Sequence, residues 1–226
     1  MTKKKERTTY QERREATYED LVRGAIESFY VKGYAGSRVE DIAEAAGHKL
    51  GGFYFHFKNK VECFFAVEEY RRKQREGWQS LLDDFDPATH SLEIVIVAVL
   101  SDLDRRLDGK DGWTLVMADF ARRHYDDPEL VAKIRAIYET WRDEIATFLV
   151  MLSERGWLAP HIDADVLATE VLAYAEAMVI QTRLFGLDQE PMRRVMLAGL
   201  LRLLGEDLSG DIRRTATQEA TTTKTA

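Results

Sequence analysis

Residues Arg38–Lys60, RVEDIAEAAGHKLGGFYFHFKNK, read as two short helices around a Gly-centred turn, ending in aromatic, histidine and lysine side chains. The Ser37 hydroxyl is placed to cap the first helix, and Glu40, three residues on, to reach back to the N–H of the cap. Val39, Ile42, Ala43 and Ala46 recur at helical spacing as an apolar face, with Glu40, Asp41 and Glu44 toward water. Gly47 suits the left-handed residue that ends a helix. Leu50 to Phe57 then form a second helix of about two turns, marginal alone and needing neighbours to pack on. This is the layout of a helix-turn-helix, which sets its second helix against DNA.

Gly51 and Gly52 fall in the first turn of that second helix, where each costs about 1 kcal/mol against alanine. Two readings are open: the backbone approaches phosphates or base edges closely, or the segment is an extended turn. Tyr54, His56, Lys58 and Lys60 offer phenol, imidazole and ammonium donors to phosphate oxygens. Phe53 and Phe57, four apart, point to the core. Phe55 has no apolar companion on its face and reads equally as a DNA contact or a surface residue.

With these residues in place, Leu21–Lys60 resembles the DNA-binding domain of the TetR family of transcriptional regulators. The first helix, LVRGAIESFYVKGY, keeps paired apolar residues, a phenylalanine four before the glycine, and the Gly33-Tyr34 ending. VEDIAEAAG stands in place of D-I-A-x-x-A-G, and GGFYFHFKNK is close to G-x-x-Y-x-H-F-x-x-K. Carried over position by position, the resemblance puts phosphate and base contacts on Arg38, Gly51, Gly52, Tyr54, Phe55, His56 and Lys60. The chain departs from the pattern at His48, where the family has Val, at Lys49, where it has a capping Ser or Thr, and at Gly52, where Thr is frequent. Lys49 reads either as a direct phosphate contact or as a solvated lysine.

The net charge of −7 over 226 residues is unevenly spread. Residues 1–60 carry 12 Lys/Arg against 9 Asp/Glu, leaving 20 against 30 for the rest, so positive potential is concentrated where DNA would lie. The lone cysteine, Cys63, excludes an internal disulfide and reads as a small core residue. No apolar stretch follows the basic start as a secretory signal would require, and the longest apolar run, Ile94–Leu100, is far below the roughly 20 residues that span a bilayer. A cytoplasmic protein without a membrane segment is expected.

Between Lys60 and Leu204 the hydrophobic period is helical throughout, so the fold class is all-α: an N-terminal three-helix helix-turn-helix domain and a larger helical ligand-binding and dimerisation domain. The organisation expected is a disordered basic arm over 1–14, a DNA-binding domain over 15–60, an effector-binding and dimerisation domain over 61–205, and a disordered Thr-rich tail over 206–226. The arm reads as a DNA-following segment or as a solubilising tail. The first helix is expected from about Thr17 to Lys32, with Leu21, Val22, Ala25, Ile26 and Phe29 inward. Beyond the DNA-binding domain, helices are expected from Val61 past Trp78 toward Leu82, from Leu92 to Leu107, and from Trp113 to His124. Three more should run from Asp127 to before Gly156, from Asp163 to Phe185, and from Pro191 to Leu204.

The last two carry apolar residues on more than one face, among them Val171, Ala175, Met178, Val179, Val195, Met196, Leu200 and Leu203. A homodimer through these helices would cover them and set two recognition helices one DNA turn apart, over an inverted-repeat operator in double-stranded DNA; the alternative is a larger monomer core. The resemblance implies the same interface.

Trp78, Trp113, Met117, Phe120, Trp141, Tyr174 and Met178 read as plain core or as the lining of an apolar pocket, with His124, Glu176, Gln181 or Arg183 orienting a ligand. The resemblance favours such a pocket, and with it a repressor released by a small apolar or amphipathic effector, the helix from Val61 acting as lever. The other reading is a DNA-binding protein without an effector, controlled by a protein partner or acting architecturally. The five histidines show no metal-ligand spacing, and there is no phosphate loop or nucleophile elbow, so neither an enzyme nor a cofactor is expected.

Overall fold

A computed structural model describes residues 10–107, 109 and 112–205. Among these residues all regular structure is helical, as the period implied: α1 (Tyr10–Gly36), α2 (Val39–Ala45), α3 (Leu50–His56), α4 (Lys60–Arg75), a 3-10 helix (Trp78–Asp84), α5 (Leu92–Arg106), α6 (Trp113–Arg123), α7 (Pro128–Glu154), α8 (Ala164–Arg183) and α9 (Gln189–Gly205). The tail over 206–226 and residues 1–9 of the arm lie outside the described residues. Tyr10 to Arg14, expected to be disordered with the rest of the arm, are instead the first turns of α1.

The described residues divide into two compact units, the first drawn from residues 10–76 and 112–131 and the second from 77–109 and 132–205. In the first, α1 buries Leu21, Val22, Ala25, Ile26 and Phe29, the stripe read from its period. Gly24 lies on the same side, and a Cβ there would stand 2.7 Å from the Ala46 nitrogen and 2.8 Å from the Ile42 oxygen. Glycine is therefore what lets α1 and α2 touch backbone to backbone. Gly33, at φ 73°, breaks the helical path of α1 near its end. The Asp119 carboxylate on α6 accepts the N–H of Ala35 at 2.7 Å just beyond the break.

The first unit is larger than the expected 15–60. Phe64 on α4 stacks on Phe120 of α6 with ring centroids 4.0 Å apart and 14° between planes, and both rings are fully buried. Such a pair joins the two helices into one core with Phe29 and Trp113, which is why α4 and α6 group with the helix-turn-helix. Cys63 is buried in this unit and burial pushes its thiol up to about 12, which leaves it inert as a nucleophile.

In the second unit Trp78, Leu82, Val95, Val99, Phe148, Leu149, Leu152 and Leu200 form the core. The helix expected to run from Val61 to Leu82 is interrupted: α4 stops at Arg75, Gly77 takes a left-handed φ of 72°, and a 3-10 helix follows. Starts are fixed by local caps, with Ser91 accepting the Ile94 N–H and Asp163 the Val166 N–H. In the α8–α9 pair the Tyr174 hydroxyl donates to the Val195 carbonyl at 3.0 Å and crosses Gly199, where a Cβ would come within 2.1 Å of that oxygen.

Candidate nucleic-acid interface

The turn between α2 and α3 is built by backbone chemistry. Gly47, at φ 71°, donates to the Glu44 carbonyl, and His48 donates to the Ala43 carbonyl, the paired bonds that close a helix at a left-handed glycine. The start of α2 is shifted one residue from the expected cap. Arg38 is the capping residue and its N–H donates to the Asp41 carboxylate at 2.7 Å. Ser37 is buried instead, its hydroxyl donating to the Gly33 carbonyl and accepting from Ser28. Asp41 is held below the usual carboxylate range chiefly by its bond from Lys32, then by the Arg38 N–H.

Two opposite faces follow from the helical path of α3. Phe53 is buried, as is Phe57 just past the helix end, whereas Leu50, Gly51, Tyr54 and Phe55 are exposed at the spacing of one helical stripe. Tyr54 and Phe55 expose 55% and 59% of their surface, a large exposed aromatic area directly beside the buried Phe53. Gly51 and Gly52 are helical, which removes the extended-turn reading. Neither has positive φ; a Cβ at Gly51 would meet nothing within 4 Å, and one at Gly52 only the Cβ of His48 at 3.7 Å. The fold itself has no need of glycine at either place.

Arg38 and Lys49 are exposed at the starts of α2 and α3, and Lys49 forms no side-chain cap. His56 is half-buried with Tyr18 5.9 Å away, and its imidazole is held below 6.5 by burial first, then by Arg14 and His48. Lys60, expected as a phosphate contact, has partners within the fold. Its ammonium donates to the carbonyls of Tyr34 and Ser37, both at 2.7 Å, and lies 4.3 Å above the Tyr34 ring. Those bonds close the C-terminal end of α1, and burial lowers the lysine.

Two family models match the chain: bacterial regulatory proteins of the tetR family over residues 21–67, and a tetracyclin repressor-like C-terminal domain over residues 114–198. This chain belongs to the TetR family of transcriptional regulators. It is similar to the uncharacterized HTH-type transcriptional regulator YwcC of Bacillus subtilis (strain 168), at 25% identity over 78% of this chain and 81% of that one. It is similar also to the HTH-type transcriptional repressor DhaR of Mycobacterium sp. (strain GP1), at 24% identity over 76% and 84%. A TetR transcriptional regulator from Chloroflexus aurantiacus J-10-FL superimposes with a TM-score of 0.59 at 27% identity, over 84% of this chain and 96% of its own. These matches are to regulators, not enzymes.

As a TetR-family chain it carries its sequence-expected ligand residues in both units. Trp113, Met117 and Phe120 are buried in the first, Trp113 against Phe29 and Phe120 against Phe64, and Trp78 is buried in the second against Phe148. Trp141, Tyr174 and Met178 are half-buried on α7 and α8. Glu176, also on α8, is pushed up by burial, and Tyr138 is raised first by its own burial and then by the Glu176 charge. The Tyr174 hydroxyl is committed to α9. Among the described residues no helix is long and apolar enough to cross a membrane, and no cluster of side chains could hold a metal ion.

Missed in the sequence was the extension of α1 to Tyr10, which sets Arg14, read there as part of a basic arm, beside Phe55. Strong helix formers over Gln11–Ala16 were the available signal.

Proposed function

We propose that this regulator is a cytoplasmic repressor that binds an inverted-repeat operator as a homodimer and is released by a small apolar or amphipathic effector. The observation that carries the DNA-reading part is the exposed face of α3. Two glycines that the fold does not require sit beside two exposed aromatics, a combination that costs stability unless another surface closes on it. Arg38, Lys49, Gly51, Gly52, Tyr54, Phe55 and His56 are assigned to that surface, the polar ones to phosphates and Tyr54 and Phe55 to sugar or thymine methyls.

Dimerisation is assigned to α8 and α9. Only Ala168, Leu172 and Leu200 of these helices are buried within the chain, and Val195 on α9 with Leu184, Phe185 and Leu187 in the connection between the two expose 46–67% of their surface. A two-fold contact along this pair would cover the apolar area and set the half-sites one DNA turn apart. For the effector, the close-packed rings of Trp113 and Phe120 leave the half-buried group on α7 and α8 as the better lining: Tyr138, Trp141, Glu176 and Met178. The raised carboxyl of Glu176 supplies its acidic group, with the Tyr138 phenol as a second polar one.

In vitro selection from random duplex DNA tests this reading, with Tyr54→Ala run in parallel. Enrichment of an inverted repeat by the wild type, weakened in the variant, is the expected result. No enrichment at low salt, where phosphate contacts are strongest, would remove the DNA-reading assignment. An enriched single half-site would remove the dimer.

A further inference from the structure

Helix α1 begins at Tyr10, ahead of the segment matched by the family model, which starts at Leu21. Every residue from Tyr10 to Ala16 is exposed, so this extension buries no apolar stripe of its own. A helix with so little burial is marginal in water. A groove of about 770 Å³ lies beneath it, walled on the other side by Ala66, Tyr70 and Lys73 of α4, so α4 gives the extension little support. Its contacts run to the end of α3 instead. The Arg14 guanidinium carbon lies 5.7 Å from the centre of the Phe55 ring, and Tyr18 packs against His56 and Phe57 with centroids at 5.9 and 5.3 Å.

A cation–π contact of this kind uses none of the guanidinium N–H donors in hydrogen bonds, so the fork that takes phosphate oxygens in pairs stays available. None of the ion pairs found among the described residues uses Arg14. Phe55, which reads from the sequence as a DNA contact or an idle surface ring, thereby acquires a definite task. We infer that Arg14, held on the Phe55 ring, is a phosphate contact that the α1 extension adds to the recognition face of α3. The depressed imidazole of His56, with Arg14 among its causes, places the same charge beside the end of α3. Sequence continuity supports the direction of travel, since Lys3, Lys4, Lys5, Arg7 and Arg13 precede Arg14.

The inference rests on the proposed DNA-reading face, and its test separates the two. Affinity for the selected operator is measured against salt concentration for wild type, Arg14→Ala, Arg14→Lys, Phe55→Leu and the Arg14→Ala/Phe55→Leu double variant, with thermal unfolding of each alongside. Each phosphate neutralised contributes about −0.9 to the slope of log affinity against log salt, so Arg14→Ala should flatten the slope by about 0.9 per protomer, or about 1.8 for a dimer. Operator and random DNA should lose affinity alike. Arg14→Lys keeps the charge and should keep the slope while binding more weakly, because it loses the planar fork of donors. The double variant should have the slope of Arg14→Ala alone. A wild-type slope in Arg14→Ala, with or without a fall in melting temperature, would reduce Arg14 to a packing residue and overturn the inference while the DNA-reading face stood. A wild type with no salt-dependent DNA binding would overturn both.

Discussion

The indole N–H of Trp113 on α6 donates to the carboxylate of Glu68 on α4, 45 residues earlier in the chain. Glu68 and Arg71 are each only 5% exposed, and the Arg71 guanidinium lies 4.5 Å over the Trp113 ring. Burial pushes the Glu68 carboxyl up, and this outweighs the lowering pull of Trp113, Arg71 and Arg75. The folded chain therefore holds this proton more tightly than the unfolded chain does. Its contribution is fully present below the unfolded value and is lost as pH rises through the raised one.

Glu68→Gln keeps an acceptor for Trp113 and removes the charge. The variant should melt above the wild type at about pH 7, and the gap should close as pH falls toward about 4, where Glu68 is neutral in both states. A variant that melts lower at neutral pH, by a margin that acid does not change, would show that pairing with Arg71 outweighs desolvation.

Gly24 fixes the separation of α1 from α2. With backbone atoms of Ile42 and Ala46 standing 2.7–2.8 Å from any added Cβ, Gly24→Ala cannot be absorbed by a side-chain rotation. It should lower stability by roughly 1–3 kcal/mol in chemical denaturation despite the better helix propensity of alanine. A stability equal to or above wild type would mean that the two helices can part at no cost.

Gly51 behaves in the opposite way. Alanine there has open space and should stabilise α3 by about 1 kcal/mol. If the backbone at this point closes on DNA, the same methyl should weaken operator binding by roughly tenfold, or about 1.4 kcal/mol. The pair of measurements is the check: a more stable protein that binds less tightly. Undiminished binding would leave Gly51 without a role.

Lys60 should act through the fold. Lys60→Met leaves the Tyr34 and Ser37 carbonyls without their donor and should cost about 1–3 kcal/mol of stability. The salt slope of DNA binding should stay at the wild-type value, because no phosphate contact is lost. A flatter slope at unchanged stability would return Lys60 to the interface.

Lys60 also illustrates where sequence reading stops. Its position in a GGFYFHFKNK ending marks it as basic and near DNA, but its partners lie 23 and 26 residues earlier, and only the folded chain brings them to it. Gly47 and the helix starts at Asp127 and Asp163 were legible because a cap is settled by neighbours within a few residues. The inward stripe Leu21–Phe29 was legible from its period. Gly24 was not, since its constraint comes from the backbone of another helix. The aromatic residues divided for the same reason: Phe120 and Trp141 carry the same apolar signal, and only packing against Phe64 makes the first a core residue.

His56 gives the interface a dependence on pH. In the free protein burial, then Arg14 and His48, hold its imidazole below 6.5. The folded chain thus resists protonation there, and this group costs stability as pH falls through that range. A phosphate brought close would favour the charged ring and reverse the shift, so DNA binding would take up a proton. Operator affinity should accordingly rise as pH falls from about 8 to about 6, by at most about tenfold per pH unit for each His56 engaged. His48, paired with Asp20 at 3.1 Å, is the other imidazole near this site. His56→Gln isolates the contribution, since it keeps a donor and cannot titrate. Affinity measured across the range by fluorescence anisotropy should be flatter in this variant than in the wild type. Two parallel curves would mean that no phosphate approaches His56, and the DNA-facing surface of α3 would then end at Phe55.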